Sequence, residues 1–116
     1  LPFSYPNIAK RFSCYQNWIK QENVFAVRFE DLVSEHRAET IYQLISFYTR
    51  QTGIKLHVEE VLNRALDNIS PAKSHTFRLG KVGEWRYLLT EKQKEQIKNV
   101  AGNLLIELGY ETSLNW

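Results

Sequence analysis

One short apolar run, Val24 to Phe29, most limits what this chain can form. The run reads Val-Phe-Ala-Val-Arg-Phe. Its β-branched and aromatic residues favour a strand buried on both faces, as in parallel sheets. No other stretch is an equally strong strand candidate, and a lone buried strand cannot satisfy its backbone hydrogen bonds. We therefore expect either that another chain supplies its neighbours or that this sequence is the later part of a larger α/β domain.

Two carboxylates, Glu30 and Asp31, follow that run directly. At the carboxyl end of a parallel strand they would lie where α/β proteins bind ligands. The alternative is that they cap the next turn and meet a nearby arginine, and we favour this second interpretation.

Helical patterns occupy most of the remaining chain. Asn7 can cap a helix that carries a stripe of Ile8, Phe12, Tyr15 and Ile19. Helices are also predicted over residues 34–52, ended by Gly53, and over residues 57–69. A last helix begins with a Thr90 and Gln93 capping box and ends at Gly109. The apolar residues expected on the faces of these three helices are Ile41, Leu44, Ile45 and Tyr48; Val58, Val61, Leu62, Ala65, Leu66 and Ile69; and Ile97, Val100, Ala101, Leu104, Leu105 and Leu108.

Composition sets the class of protein. The 116 residues are 43% hydrophobic and 24% charged, as in globular domains, and the net charge of +2 is too small to indicate nucleic acid by itself. No apolar run approaches the roughly 20 residues of a membrane span. The single cysteine, Cys14, excludes an intrachain disulfide and fits a reducing compartment, so we expect a cytoplasmic protein. Cys14 itself is interpreted as a half-buried structural thiol.

Histidine and lysine patterns give no catalytic or metal signal. The three histidines lack metal-ligand spacing and are interpreted as surface or helix-end residues; they are His36, His57 and His75. Three lysines interleaved with glutamates are interpreted as a solvated helix face; they are Lys92, Lys94 and Lys98.

The stretch from Thr76 to Trp85 carries most of the functional signal, because it fits neither helical nor strand periodicity. Two glycines, Gly80 and Gly83, lie three residues apart. Basic side chains lie near them in the sequence; they are Arg78, Lys81 and Arg86. Glycine lets a ligand approach the backbone, and arginine presents a bidentate fork to phosphate. These residues indicate either an anion-binding loop with room for a nucleotide or a structural loop that Trp85 anchors.

Three motifs together resemble the cytosolic-type sulfotransferases, in the order found in that family. The family's C-terminal signature is Arg-Lys-Gly, two variable residues, Gly-Asp-Trp-Lys, and a short run ending in Phe-Thr. Residues 77–90 match it at Arg78, Gly80, Gly83, Trp85 and Thr90, whereas Leu79 replaces the lysine and Leu89 the phenylalanine. Residues 27–32 are similar to the family's strand ending in Arg-Tyr-Glu-Asp-Leu, and residues 104–111 are similar to the closing helix of many bacterial members.

The resemblance implies that residues 1–116 are the C-terminal portion of one sulfotransferase domain. The implied fold is α/β and P-loop-like, with a parallel sheet flanked by helices, to which this mostly helical segment adds one buried strand. The implied reaction moves a sulfuryl group from 3′-phosphoadenosine 5′-phosphosulfate (PAPS) to a hydroxyl or amine. The family's phosphosulfate loop and catalytic residues lie in an N-terminal half that these residues do not contain.

The residues of the implied site follow from the signature. Its Arg-Lys-Gly segment grips the 3′-phosphate, and this role passes to Arg78, the backbone of Leu79 and Gly80, with no metal. No catalytic residue is expected here, and the chain alone is expected to be inactive. The implied partners are the remainder of the domain or a companion chain and a small-molecule acceptor that the sequence does not name, with no nucleic acid and no membrane.

Two other hypotheses stay open. One is a non-catalytic helical module that binds nucleotides or partners. The other is a helical nucleic-acid binder with basic residues for the phosphates and two aromatic rings for stacking; the residues are Lys73, Arg78, Lys81, Arg86, Phe77 and Trp85.

Overall fold

A computed structural model describes residues 5–69 and 81–116 of the chain. Those residues form helices joined by short connections. The helices are α1 (Ile8–Ser13), a 3-10 helix (Gln16–Lys20), α2 (Phe29–Val33), α3 (Arg37–Thr52), α4 (Val58–Asn68), α5 (Trp85–Leu88) and α6 (Glu91–Glu107). The chain divides into two compact units, here called the terminal unit (Leu1–Gln21 with Gly83–Trp116) and the central unit (Glu22–Val82).

The expected α/β fold, with a parallel sheet and one buried strand, is wrong. The described part of the chain contains no strand, and Val24 to Arg28 form an extended segment that leads into α2. The backbone groups of Val24 to Val27 make no hydrogen bond to a described residue. The physical reason is that a strand needs a neighbouring strand, and none of the described residues supplies one.

Packing on one face holds the extended segment instead. Phe25 and Val27 are half-buried, whereas Val24 and Ala26 are exposed. The ring of Phe25 lies 5.3 Å, centroid to centroid, from the ring of Phe47 on α3. Glu30 and Asp31 lie in the first turn of α2, where the helix dipole favours carboxylates. No side-chain hydrogen bond caps α2, so the capping interpretation of these two residues is not confirmed.

The core of the central unit lies on α3. This helix ends where predicted, at Gly53, whose φ of +70° is a conformation that favours glycine. Ile41 and Ile45 are buried, while Leu44 and Tyr48 on the predicted apolar face remain exposed. Both α2 and α4 pack against α3. The apolar residues of α4 are half-buried on that side: Val58, Val61, Leu62, Ala65 and Leu66.

The terminal unit begins with a helix shorter than predicted. The side chain of Asn7 accepts a hydrogen bond from the Lys10 amide at 2.9 Å, so the predicted cap is confirmed. However, α1 ends at Ser13 and a 3-10 helix follows, so the apolar stripe over residues 8–19 is not one continuous face. Cys14 is exposed, and its expected half-burial is wrong.

Helix α6 is the longest element of the terminal unit, and α1 packs against it. Its predicted capping box is confirmed, because Thr90 Oγ1 accepts from the Gln93 amide while Gln93 Oε1 accepts from the Thr90 amide. At its other end Gly109 has a φ of +73°. The Tyr110 amide donates to the Leu105 carbonyl at 2.8 Å and the Gly109 amide to the Ile106 carbonyl at 3.0 Å. These two bonds form a Schellman motif, which reverses the chain.

After that reversal the tail, residues 109–116, runs back along α6. A Cβ atom added to Gly102 would lie 2.5 Å from Leu114 Cδ2, so the tail packs closely where α6 has no side chain. Two residues further along, Trp116 lies beside Lys98, one helical turn earlier on α6. The tail therefore covers one face of α6.

Few apolar side chains are fully buried in the described residues; they are Ile41, Ile45 and Ala101. Many large apolar side chains remain exposed, among them Ile8, Trp18, Phe29, Val82, Tyr87 and Leu88. No helix within residues 5–69 and 81–116 is both long enough and apolar enough to cross a membrane.

Candidate functional site

The candidate loop, Thr76 to Trp85, is described from Lys81 onward. Arg78, Leu79 and Gly80, the predicted 3′-phosphate ligands, lie outside the described residues. A turn over residues 82–84 leads into α5. Gly83 in this turn has a φ of +83° and open space where a Cβ would lie. Glycine is therefore favoured at position 83 by the backbone conformation and not by crowding.

Lys81 is the one basic residue of the candidate loop that lies in its described part. Its side chain is exposed and makes no ion pair with a described residue. An exposed ammonium without a carboxylate partner keeps its full positive charge for an anion. Lys81 is therefore accessible to a phosphate.

Trp85, at the end of the loop, is held by the last residue of the sequence. The rings of Trp85 and Trp116 meet edge to face, with centroids 4.9 Å apart and planes at 82°. This geometry is the preferred one for aromatic pairs. Trp85 is half-buried, so it anchors the loop, which was the role expected for it.

Arg86, which the sequence grouped with the anion-binding cations, is engaged on two sides. Its guanidinium carbon lies 4.4 Å from the centroid of the Trp85 ring. Its Nη2 atom donates to Glu111 Oε1 at 2.9 Å. The Glu111 side chain is only 14% exposed, so the ion pair is shielded from water on the carboxylate side. A stacked and paired guanidinium does not serve as a free phosphate fork.

Lys98 completes this arrangement from α6. Its Nζ atom lies 5.1 Å from the centroid of the Trp116 ring and donates to Glu95 Oε1 at 2.9 Å. The Lys98 side chain is only 15% exposed, so the interpretation of a merely solvated lysine face is wrong at this position. We call the set Trp85, Arg86, Lys98, Glu111 and Trp116 the tryptophan clamp.

Lys94, one turn before Lys98, is also largely covered. Its Nζ atom donates to Glu91 Oε1 at 2.7 Å, and its side chain is 14% exposed. The hydrogen bond from Lys94, together with the positive charge of the same ammonium, holds the pKa of Glu91 below its ordinary value. Lys94 and Lys98 thus each make an ion pair with a glutamate one turn earlier on α6.

Sequence reasoning missed Tyr87 and Leu88. Both lie on α5 directly after the loop, and they are 90% and 74% exposed. Two exposed apolar side chains side by side are suited to contact another molecule.

Two of the histidines lie at helix ends. His36 and His57 are exposed N-cap residues of α3 and α4, as interpreted, and His75 lies outside the described residues. No group of three or more His, Cys, Asp or Glu side chains within the described ranges could hold a metal ion. The terminal unit also has an open, mainly apolar cavity of about 380 Å³, lined by Pro6, Ile8, Arg11, Phe12 and Tyr15. None of these five residues belongs to the candidate loop.

Comparison with known proteins identifies no relative: the chain matches no family model, no curated protein and no solved structure. The sulfotransferase resemblance therefore rests on the three motifs in the sequence alone. Any role for the candidate loop has to be argued from its own residues and from those that hold it.

Proposed function

We propose that this chain binds the 3′-phosphate end of PAPS and so takes part in sulfuryl transfer to a hydroxyl or amine. The observation that supports this proposal is that two matched signature residues have roles that need their residue type. Gly83 has a positive φ, and Trp85 makes the edge-to-face contact that anchors the loop. Both matched residues therefore have local structural roles that suit their residue types.

Each residue of the loop has a defined part in the proposal. Arg78 presents its fork to the 3′-phosphate, and the backbone amides of Leu79 and Gly80 donate to the same group. Lys81, which is exposed and makes no ion pair with a described residue, adds a second charge. PAPS supplies the activated sulfuryl group, and no metal takes part.

The reacting end of PAPS is assigned to other residues. Sulfuryl transfer needs a base at the acceptor and positive charge on the leaving phosphate. The proposal places these groups in the remainder of a sulfotransferase domain or in a companion chain, acting in the cytoplasm. The chain alone is accordingly expected to bind nucleotide without turnover.

Calorimetric titration with two nucleotides tests the proposal. 3′-Phosphoadenosine 5′-phosphate should bind, and adenosine 5′-monophosphate, which lacks the 3′-phosphate, should bind at least tenfold more weakly. Arg78→Ala should reduce affinity for the first nucleotide by about 2 kcal/mol, as for a charge-assisted hydrogen bond. Arg64→Ala is the matched control, because Arg64 is exposed on α4 and its one ion pair with a described residue is with Glu60. Equal binding of both nucleotides, or full affinity with Ala at position 78, would contradict the assignment.

A gain of affinity gives a second test. Leu79 stands where the family signature has lysine. Leu79→Lys should tighten binding of 3′-phosphoadenosine 5′-phosphate severalfold, because it adds a cation beside the phosphate. Leu56→Lys, a change of the same chemistry in the connection before α4, should not.

A partner-binding helical module is the second candidate function. It is favoured by the few fully buried apolar residues in the described part of the chain and by the exposed Tyr87 and Leu88. The same titration separates the two candidates, since a module that binds only partners has no preference for a 3′-phosphate. The nucleic-acid hypothesis is weakened, because Trp85 and Arg86, which it requires for stacking and charge, are engaged with each other.

A further inference from the structure

We propose that the tail, residues 109–116, holds α5 and the described end of the candidate loop, Gly83 to Trp85, in place, and that Glu111 and Trp116 are positioning residues for them. The inference rests on the proposed function in one respect only, which is the measurement of nucleotide binding. Neither residue would touch the nucleotide. Both act on Trp85 and Arg86, the residues that directly follow Gly83 and Glu84.

The tail has a defined direction. The Schellman motif at Gly109 sends the chain back along α6. Gly102 leaves space there for Leu114, which packs where a Cβ atom would lie. The tail therefore has a defined path: Gly109 reverses the chain, and Gly102 leaves space for Leu114 on α6.

The tail contacts Trp85 and Arg86 on that path. Glu111 accepts from Arg86 at 2.9 Å, and Trp116 packs edge to face on Trp85. Arg86 also lies over the Trp85 ring, so the two contacts reinforce each other. Lys98 lies over Trp116 and fixes that ring against α6. A continuous series of contacts thus connects α6, the tail and α5.

The tail contacts act on the end of the candidate loop through α5. Without the tail, α5 is a four-residue helix, Trp85 to Leu88, and a helix of that length is not stable by itself. The contacts of Trp85 and Arg86 with the tail therefore contribute to fixing α5. A ligand that needs one loop conformation binds more weakly when the end of that loop is free, because ordering the loop then opposes binding.

Amide hydrogen exchange, measured residue by residue on the 116-residue chain, tests the inference directly. The reporters are the amides of Tyr87, Leu88 and Leu89, which donate to the carbonyls of Glu84 and Trp85. In Trp116→Ala and in Glu111→Gln these amides should exchange at least tenfold faster. The amides of residues 101–105 in the middle of α6 should keep their protection. Trp116→Phe should restore a large part of the protection, since it keeps an aromatic edge against Trp85.

Matched controls exclude a general effect of losing a ring or a charge. Trp18→Ala removes an exposed tryptophan of the same unit whose ring contacts Tyr15, and it should leave the reporters unchanged. Glu59→Gln removes an exposed carboxylate in the first turn of α4 and should do the same. If Trp116→Ala unfolds the chain, Glu111→Gln, which keeps the side-chain shape, decides the question. Unchanged exchange of Tyr87 to Leu89 in Glu111→Gln overturns the inference.

Nucleotide binding then distinguishes a positioning role from a purely structural one. In the folded variants Trp116→Ala and Glu111→Gln, affinity for 3′-phosphoadenosine 5′-phosphate should fall at least fivefold, and Trp116→Phe should recover most of it. Faster exchange with unchanged affinity overturns the positioning role. Failure of the wild-type chain to bind this nucleotide contradicts the proposed function instead, and the exchange experiment still decides whether the tail holds α5.

Discussion

The central and terminal units stabilise their helices by different means. In the central unit the buried residues are Ile41 and Ile45 on α3, and the ring of Phe25 packs on Phe47. In the terminal unit the only apolar side chain fully buried among described residues is that of Ala101. Its order comes instead from a capping box, from ion pairs along α6 and from the tryptophan clamp.

This difference matters for the candidate site. The last residues of the loop, Gly83 to Trp85, belong to the terminal unit. Their position depends on directional contacts such as the Arg86 to Glu111 ion pair, and less on apolar burial. Directional contacts fix geometry well but respond to pH, salt and single substitutions. We therefore expect mutations in the central unit to lower the free energy of unfolding most. Mutations in the terminal unit should change the conformation at the end of the loop with a smaller loss of that free energy.

The largest effect should come from Ile41→Ala in the central unit. Ile41 is 4% exposed, so its truncation leaves a cavity and should reduce the free energy of unfolding by about 3 kcal/mol. Urea denaturation measures the loss. Leu44→Ala on the same helix, where the side chain is 40% exposed, should cost less than about 1 kcal/mol. Equal losses would contradict the placement of the apolar core on the face of α3 that carries Ile41.

Gly53→Ala should have the next largest effect. With φ at +70° and no atom within 4 Å of an added Cβ, the cost is purely conformational and should be about 1 kcal/mol in the free energy of unfolding. Gly53→Asn should cost less, because asparagine tolerates this conformation better. If the two variants were equally destabilised, a steric cause would be indicated.

What the sequence predicted correctly was local. The caps at Asn7 and Thr90 and the stops at Gly53 and Gly109 depend on a few neighbouring residues, and all are present. The predicted strand was wrong, because a strand forms only beside another strand, and the apolar run from Val24 carries no information about a neighbour. The continuous helix over residues 8–19 failed because apolar spacing alone does not show where a helix ends.

For the candidate site, too, the local feature was predicted from the sequence and the distant contacts were not. The anchoring role of Trp85 was predicted from its type and its place after the loop. Arg86 was assigned to anion binding because its partners are remote: Glu111 lies 25 residues away, and Trp116 follows it at the end of the sequence. Only the reversal at Gly109 brings these residues together. Local patterns do not encode contacts of this kind.

Thr90→Ala tests the local contacts of the terminal unit. It removes the hydroxyl that accepts from the Gln93 amide at 3.3 Å and should cost about 1 kcal/mol of unfolding free energy. Thr112→Ala in the tail, where the side chain is exposed, should be close to neutral. Urea denaturation compares the two. A loss as large as that of Ile41→Ala would remove the contrast between the units.

The smallest effect, and the most specific to the terminal unit, is a dependence on acid pH from Glu91. Because Lys94 lowers the pKa of this carboxyl below its ordinary value of 4.5, the folded chain holds fewer protons there than the unfolded chain between those two pKa values. Stability from this pair is therefore complete above pH 4.5 and is lost as pH falls through the lowered pKa. Since Glu91 is 81% exposed, the effect should be small and reduced by salt. Glu91→Gln should flatten this part of the profile of unfolding free energy against pH. Glu59→Gln, at a carboxylate that pairs with no lysine among the described residues, should not. A profile unchanged by Glu91→Gln would show that the ion pair with Lys94 contributes nothing measurable to stability.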